Sequence, residues 1–304
     1  MQQISREQID ELNIAPVTFY KWLCDYHNED HSYINPLKTR IPLKNSDYFN
    51  VMPCVFESLG MAGVKIVTRS DYRRQHNENS LDSNVILYDS NSLNSIAWMD
   101  GNLVTTARTA SIAVYSSLHC TPPEKIRQIA FVGLGNIGTM VADILFEILD
   151  TPIHIKVYRY KDQAERFVER YKAKKNITFE IVDSYENLMK DCDLIYSAVT
   201  FIDGDFCGAD LYKKGCTLVP IHMRGFMECD KVFDHIITND TVSITKFKNY
   251  GYMKKISIDT DVFSGIIPVR SSPEDRVIIY NLGLAMYDIY FAYRIYEMYS
   301  KIQG

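Results

Sequence analysis

The stretch Ile129-Ala-Phe-Val-Gly-Leu-Gly-Asn-Ile-Gly-Thr-Met-Val-Ala-Asp-Ile-Leu145 decides the fold. It opens with a short apolar run, Ile129 to Val132, of the kind that forms a fully buried parallel strand. Gly133, Gly135 and Gly138 follow in G-x-G-x-x-G order, and Met140, Val141, Ile144, Leu145 and Ile148 then recur at helical spacing. In a strand–turn–helix unit each glycine has a mechanical task. The first permits a tight turn, the second lets backbone approach a pyrophosphate, and the third allows the helix to pack close on the strand. The helix start adds unpaired N–H groups and the positive end of its dipole. The stretch therefore predicts a dinucleotide site; the blander reading is a glycine-rich βα turn.

Downstream of it, strand and helix patterns alternate. Ile153–Tyr158, Thr178–Val182, Asp193–Val199 and Thr217–Ile221 read as strands, and Asp162–Ala173 and Tyr185–Lys190 as helices, which predicts a doubly wound parallel sheet. Residues 277–299 read as one long terminal helix, apolar around much of its circumference. Upstream, residues 4–29 read as helical with a break at Pro16. Short β-type runs follow at Tyr48–Met52, Gly63–Thr68, Asn84–Tyr88 and Leu93–Trp98, with a polar stretch from Arg69 to Ser83 expected as an exposed loop. Thr105–Leu118 reads as a helix, and Thr121-Pro-Pro-Glu as a boundary.

At 304 residues the chain suits about two domains. Its net charge of −5 gives no bulk attraction to nucleic acid or to an anionic membrane. No apolar run reaches the ~18 residues of a membrane span, and the N-terminus lacks the layout of a secretory signal. Cys24, Cys54, Cys120, Cys192, Cys207, Cys216 and Cys229 are odd in number and scattered, without C-x-x-C. This argues for reduced thiols in a cytoplasmic protein, with no disulfide framework and no structural metal.

Several separated segments together resemble the ornithine cyclodeaminase/μ-crystallin family over nearly the whole chain. They are Met52-Pro53, Ala62-Gly-Val-Lys65, Met99-Asp-Gly101, Thr105-Thr-Ala-Arg-Thr-Ala110, Val132–Gly138, Asp193–Thr200 and Asn281–Asp288. The Arg-Thr-Ala segment just upstream of the glycines is the most specific. The resemblance implies an α/β architecture in which a Rossmann-type doubly wound parallel sheet, residues 121–283, is inserted in a second α/β domain. That second domain, residues 1–120 plus 284–304, binds substrate, makes a homodimer and is completed by the C-terminal helix. It further implies that Arg40, Lys65 and Arg108 hold a substrate carboxylate, with Lys65 also counted as catalytic, and that Ser80 stands where a family threonine touches substrate. The cofactor would be held by Gly133, Gly135, Asn136, Ile137, Gly138, Ala198, Val199, Thr200 and Gly283.

These assignments are chemically sensible. An arginine fork pairs bidentately with a carboxylate, and a lysine inside an apolar run is costly to bury unpaired. The alternatives are an edge-strand lysine facing solvent, a surface helix arginine at 108, and Arg40 in a loop ahead of Ile41-Pro42.

Two departures from the family pattern matter. The second strand of the nucleotide domain ends Val157-Tyr-Arg-Tyr-Lys161, where NAD-selective members carry a carboxylate for the ribose. Arg159 and Lys161 there favour NADP(H) over NAD(H), against a bland reading as a solvent-facing charge pair. The segment Gly215–Asp230 has no aspartate at the family's catalytic place; His222 or Arg224 occupies it. Histidine is a competent general acid/base, so His222 is the candidate proton carrier, with a packed structural histidine as the alternative.

The expected function is an NAD(P)-dependent oxidoreductase acting on the C–N bond of a small amino, imino or keto acid. Two alternatives stay open: ornithine cyclodeaminase proper, giving proline and ammonia, and a non-catalytic NADPH-dependent binding protein of the crystallin type.

Overall fold

The computed structural model describes every residue except Asn77 and Gly304, and for Gln303 the backbone alone. In chain order the first segment comprises β1 (Gln2–Ile4), α1 (Arg6–Glu11), α2 (Pro16–Asn28), β2 (Tyr33–Ile34), β3 (Thr39–Pro42), β4 (Tyr48–Phe56), β5 (Met61–Arg69), α3 (Asp71–Gln75), β6 (Leu81–Asp89), β7 (Ser95–Asp100) and α4 (Asn102–Cys120). Next come β8 (Gln128–Val132), α5 (Asn136–Ile148), β9 (Ile153–Tyr158), α6 (Gln163–Tyr171), β10 (Ile177–Val182), α7 (Tyr185–Met189), β11 (Leu194–Ser197), β12 (Thr217–Pro220), α8 (Cys229–Val232), β13 (His235–Thr238), β14 (Ile256–Ile258), α9 (Asp259–Phe263) and β15 (Val277–Tyr280). The chain closes with α10 (Ala285–Gln303).

The chain divides into two compact units, residues 1–108 with 283–304, and residues 109–282. The sequence-based boundary at residue 121 lies past the end of α4, whereas the division falls inside that helix, directly after Arg108.

The first unit is a seven-stranded mixed sheet in the order β1-β7-β6-β5-β4-β2, with β3 also paired to β4. Strands β4, β5 and β6 alternate between buried and half-exposed residues, as antiparallel strands covered on one face do. The cover is α10, which packs along β4 and β5, stacks Phe291 on Phe19 of α2 and sets it edge to face with Trp22. Pro53 sits in the middle of β4 without disturbing it. Its missing N–H falls between the residues paired to β3, Tyr48–Val51, and those paired to β2, Val55–Phe56.

The second unit is an eight-stranded sheet, β10-β9-β8-β11-β12-β15-β13-β14, with every neighbouring pair parallel. Strands β11, β12, β13 and β15 are buried at every position, as strands covered on both faces are. Chain order reverses between β8 and β11, which makes the carboxyl ends of those two strands the topological switch point.

Three expectations are corrected. Val277-Ile-Ile-Tyr280 is a central strand, and the terminal helix begins only at Ala285; a short β-branched apolar run is ambiguous by periodicity, and its neighbours β12 and β13 claim it. The span from Arg69 to Ser83 is no simple loop, since β5 runs through Arg69, α3 follows and β6 starts at Leu81. Arg40 lies in the edge strand β3, opposite Asn50, rather than in a loop. Among the described residues no helix is long and apolar enough to cross a membrane, and the seven cysteines are all unpaired.

Candidate functional site

In the first unit, the site grows from one face of β5. Side chains alternate along a strand, and Met61, Gly63, Lys65 and Val67 share the face beneath α10. Lys65 is 1% exposed, so the solvent-facing alternative fails. Its Nζ donates to Asp288 Oδ1 at 2.6 Å and reaches Thr105 Oγ1 at 3.5 Å. Arg108, also buried, donates from Nε to the same Asp288 oxygen at 2.8 Å. Asp288 itself is fully buried in the first turn of α10, and its Oδ2 has no hydrogen-bond partner.

Two cations and one carboxylate leave a buried surplus of positive charge. Burial pushes Lys65 down to about 8, against the pull of Asp288; Arg108 and Lys38 push in the same direction as burial. Gly283 leaves room for the arginine, since a Cβ there would lie 3.3 Å from the nearer terminal nitrogen of Arg108. Asn35 fastens the start of α10 by accepting from the Met286 N–H at 2.9 Å.

The other sequence-derived candidates of this unit are placed differently. Arg40 lays its guanidinium 4.0 Å over the Tyr48 ring on the exposed edge. Ser80 stands at the neck of the β5–β6 hairpin, its carbonyl accepting from Ser70 N and Arg73 Nη2. The buried serine on the Lys65 face is Ser83, whose Oγ is 3.0 Å from Thr105 Oγ1.

In the second unit, Gly133 has φ +86°, and a Cβ on it would lie 2.6 Å from the Ala198 carbonyl carbon at the end of β11. A Cβ on Gly138 would lie 2.2 Å from the Gly133 carbonyl oxygen, so the helix rests directly on the turn. At Gly135, by contrast, a Cβ would meet nothing within 4 Å. The fold itself does not need glycine there, and the bare backbone faces open space at the start of α5. Gly135 is the N-cap of that helix and gives it no side-chain cap, so the first-turn N–H groups of Asn136, Ile137 and Gly138 point into the same space. A pyrophosphate is the kind of group that such a bare helix start can hold.

Ala198, Val199 and Thr200 follow β11, on the other side of the switch point. Arg159, just after β9, is half-exposed and pairs with Asp183 Oδ1 at 2.6 Å and with Glu165. Lys161, at φ +52°, holds its ammonium 5.5 Å over the Tyr160 ring. His222 lies two residues beyond β12, at the carboxyl edge of the sheet that also carries the glycine turn. Of the acidic pair beyond it, Glu228 is an exposed partner of Lys231, whereas Asp230 is buried and accepts from the Tyr280 hydroxyl at 2.6 Å. Burial lifts Asp230 to about 6 although Tyr280 pulls the other way.

Residues 10–221 match the ornithine cyclodeaminase/mu-crystallin family. The chain belongs to that family. One relative is N-((2S)-2-amino-2-carboxyethyl)-L-glutamate dehydrogenase of Staphylococcus aureus, 23% identical over 78% of this chain and 74% of the other. Among solved structures, the Thermococcus litoralis Delta(1)-pyrroline-2-carboxylate reductase in complex with NADH and L-proline superposes with TM-score 0.79, 16% identity and coverage of 100% and 98%. An archaeal alanine dehydrogenase dimer with bound NAD gives 0.81, 17%, and 100% and 97%. These likenesses establish the fold over the full chain.

Sequence reasoning missed Asp288 as a site residue. Its signal was visible, namely one acid in the apolar first half of a helix, inside a segment that matched the family.

Two substitutions test the two halves of this description. Asp288→Asn leaves two cations buried without their carboxylate and should cost roughly 3–5 kcal/mol of stability, read by denaturant unfolding. A loss below about 1 kcal/mol, the size of an exposed pair, would contradict the shared buried bond. Gly135→Thr, about as good an N-cap as glycine, should leave the unfolding midpoint unchanged while weakening nucleotide binding at least about tenfold, about 1.4 kcal/mol. Unchanged affinity would remove Gly135 from nucleotide binding.

Proposed function

We propose that this chain is an NAD(P)-dependent oxidoreductase acting on the C–N bond of a small amino or imino acid. The observation that carries the proposal is the buried Lys65–Asp288–Arg108 cluster, in which two cations share one carboxylate oxygen and positive charge is left over. Such a surplus, held rigidly and out of water, suits a small carboxylate ligand. The glycine turn supports the cofactor side.

In this reading Lys65 and Arg108 hold the substrate carboxylate, which fixes the adjacent carbon. Asp288 sets the height of the lysine and the plane of the guanidinium. A nicotinamide nucleotide held at the glycine turn would supply the hydride chemistry. In the reductive direction imine, NAD(P)H and one proton give amine and NAD(P)⁺, and His222 supplies the proton. Cyclodeamination is less well supported, because Ile221-His-Met-Arg-Gly-Phe-Met227 offers no carboxylate after β12.

The cofactor preference proposed is NADP(H). Arg159 and Lys161 support it, and Arg159 must exchange Asp183 or Glu165 for the 2′-phosphate. The unpaired cysteines support a reducing, cytoplasmic setting.

The test is a panel of cyclic imines, and of keto acids with ammonia or an amine, each offered with NADPH and with NADH. Turnover of at least one substrate, faster with NADPH, is the expected result. Because Lys65 loses its proton as pH rises through about 8, and only its charged form attracts a carboxylate, KM should be flat below that pH and climb above it. A KM flat to pH 10 would take Lys65 out of the binding step. Loss of less than about tenfold in kcat for His222→Asn would remove the histidine from proton transfer.

A homodimer is also proposed. The sheet face opposite Lys65 aligns Pro53, Val64, Ile86 and Trp98 across four strands, with Val51 and Ile66 beside them. All are partly exposed, Trp98 to 42%, and a contiguous apolar patch of this kind suits a second copy of itself. Light scattering should give a dimer for the native protein and a monomer for Trp98→Glu. A native monomer at micromolar concentration would rule the interface out.

A further inference from the structure

We infer that Asn50 is a substrate-binding residue whose side-chain oxygen accepts a hydrogen bond from the substrate's nitrogen, so that the site selects amines and protonated imines over keto acids of the same shape. The inference rests on the function proposed above and deepens it.

The argument starts from an exception in β4. The strand buries every second residue from position 50 onward, namely Asn50, Met52, Cys54 and Phe56. A covered face with period two calls for apolar side chains, and the last three supply them. Asn50 does not. It is 6% exposed, and its Oδ1 has no hydrogen-bond partner. A buried carbonyl oxygen without a donor weakens the fold, and a leucine of similar size would fill the place without that cost. Packing gives no reason for an amide here.

Register places the exception. Asn50 faces Arg40 across β3–β4 and Val67 across β4–β5, and Lys65 faces Met52 in the next row of the same face. Asn50 and Lys65 are therefore diagonal neighbours, roughly 7–8 Å apart along the backbone. In the register Asn50 lies between Arg40 and Lys65, two of the three cations that the family resemblance assigns, with Arg108, to one carboxylate clamp.

The inventory of donors and acceptors then decides what Asn50 is for. Lys65 and Arg108 carry donors only, and both draw on Asp288 Oδ1. A substrate carboxylate is all acceptor and answers them. The nitrogen on the neighbouring carbon is the opposite, a donor in need of an oxygen. Two oxygens of this unit's cluster lack a partner, Asp288 Oδ2 and Asn50 Oδ1. Asp288 is fully buried, whereas Asn50 keeps a little open surface, so Asn50 is the one a ligand reaches. An amide also accepts without adding charge, which leaves intact the positive surplus that draws the carboxylate; an aspartate there would cancel part of it. A ketone oxygen in place of the nitrogen sets acceptor against acceptor and leaves Asn50 unmatched, the situation in which a site discriminates most strongly.

The experiment is calorimetric titration of the full-length protein, loaded with NADPH so that amines form dead-end complexes. Two pairs of probes differ only in N–H against oxygen: L-proline with (S)-tetrahydrofuran-2-carboxylate, and N-methylglycine with methoxyacetate. Because the members of a pair also differ in charge, the readout is how far a variant moves the affinity ratio within each pair. Asn50→Leu should cut the preference for the N–H member at least about tenfold, while the oxygen members bind within about threefold of their native affinity. Its unfolding midpoint should hold or rise, which an amide with a structural task would not allow. Asn50→Asp, which keeps an acceptor, should keep the preference. An unmoved ratio in Asn50→Leu overturns the inference, and so does equal weakening of both members, which would make Asn50 one more donor to the carboxylate. Loss of the preference in Asn50→Asp overturns it as well. Imine turnover with an unmoved ratio sinks the inference while the proposed function survives. A moved ratio without turnover of any amino or imino acid does the reverse. Binding of neither pair removes both.

Discussion

One carboxylate oxygen organises the first unit. Asp288 Oδ1 accepts from Lys65 at 2.6 Å and from Arg108 at 2.8 Å, in surroundings where none of the three groups can turn to water. An ammonium buried alone would shed its proton, and a guanidinium buried alone would not stay buried. Sharing the oxygen keeps both charged, and yet, because one negative charge meets two positive ones, the compensation stops half way. The remainder is what makes the cluster more than a structural ion pair. A fully neutralised triad would offer a carboxylate nothing, and the uncompensated charge is what supports the carboxylate ligand proposed for it.

The same bond explains where α10 sits in the first unit. The three residues come from β5, from the first half of α4 and from α10, and the second unit is inserted between the last two. The division falls directly after Arg108 and directly before Gly283, and these two residues touch, the glycine yielding space to the guanidinium. The ion cluster therefore ties together the two strands of chain that lead out to the insertion and back. In the second unit the corresponding constraint is steric. Gly133 and Gly138 are demanded by close approach of backbone, but Gly135 is not, and the contrast separates what the turn needs in order to fold from what it leaves open for a ligand.

The legible parts of the sequence were those in which local chemistry and tertiary role coincide. The glycine turn could be read because its three glycines stand at a fixed spacing within ten residues of chain, and β9 and β10 because their alternation with helices is strict. The failures have a common cause. Val277–Tyr280 reads as part of the terminal helix because four apolar residues fit either period, and only pairing with β12 and β13 decides between them. Arg40 reads as a loop residue because Thr39–Pro42 becomes a strand only by pairing with β4. Lys65 and Arg108 were picked out by family resemblance, but no local rule says that they meet. Asp288, more than two hundred residues from Lys65 in sequence, carries no motif of its own beyond being an acid in an apolar turn.

Distance in sequence also bears on how selectivity could evolve in such a site. Lys65 and Arg108 are fixed by a bond that spans the first unit, so changing either of them, or Asp288, disturbs the whole cluster at once. Arg40 is different: it sits on a short, exposed edge strand, where a change of charge costs the core little.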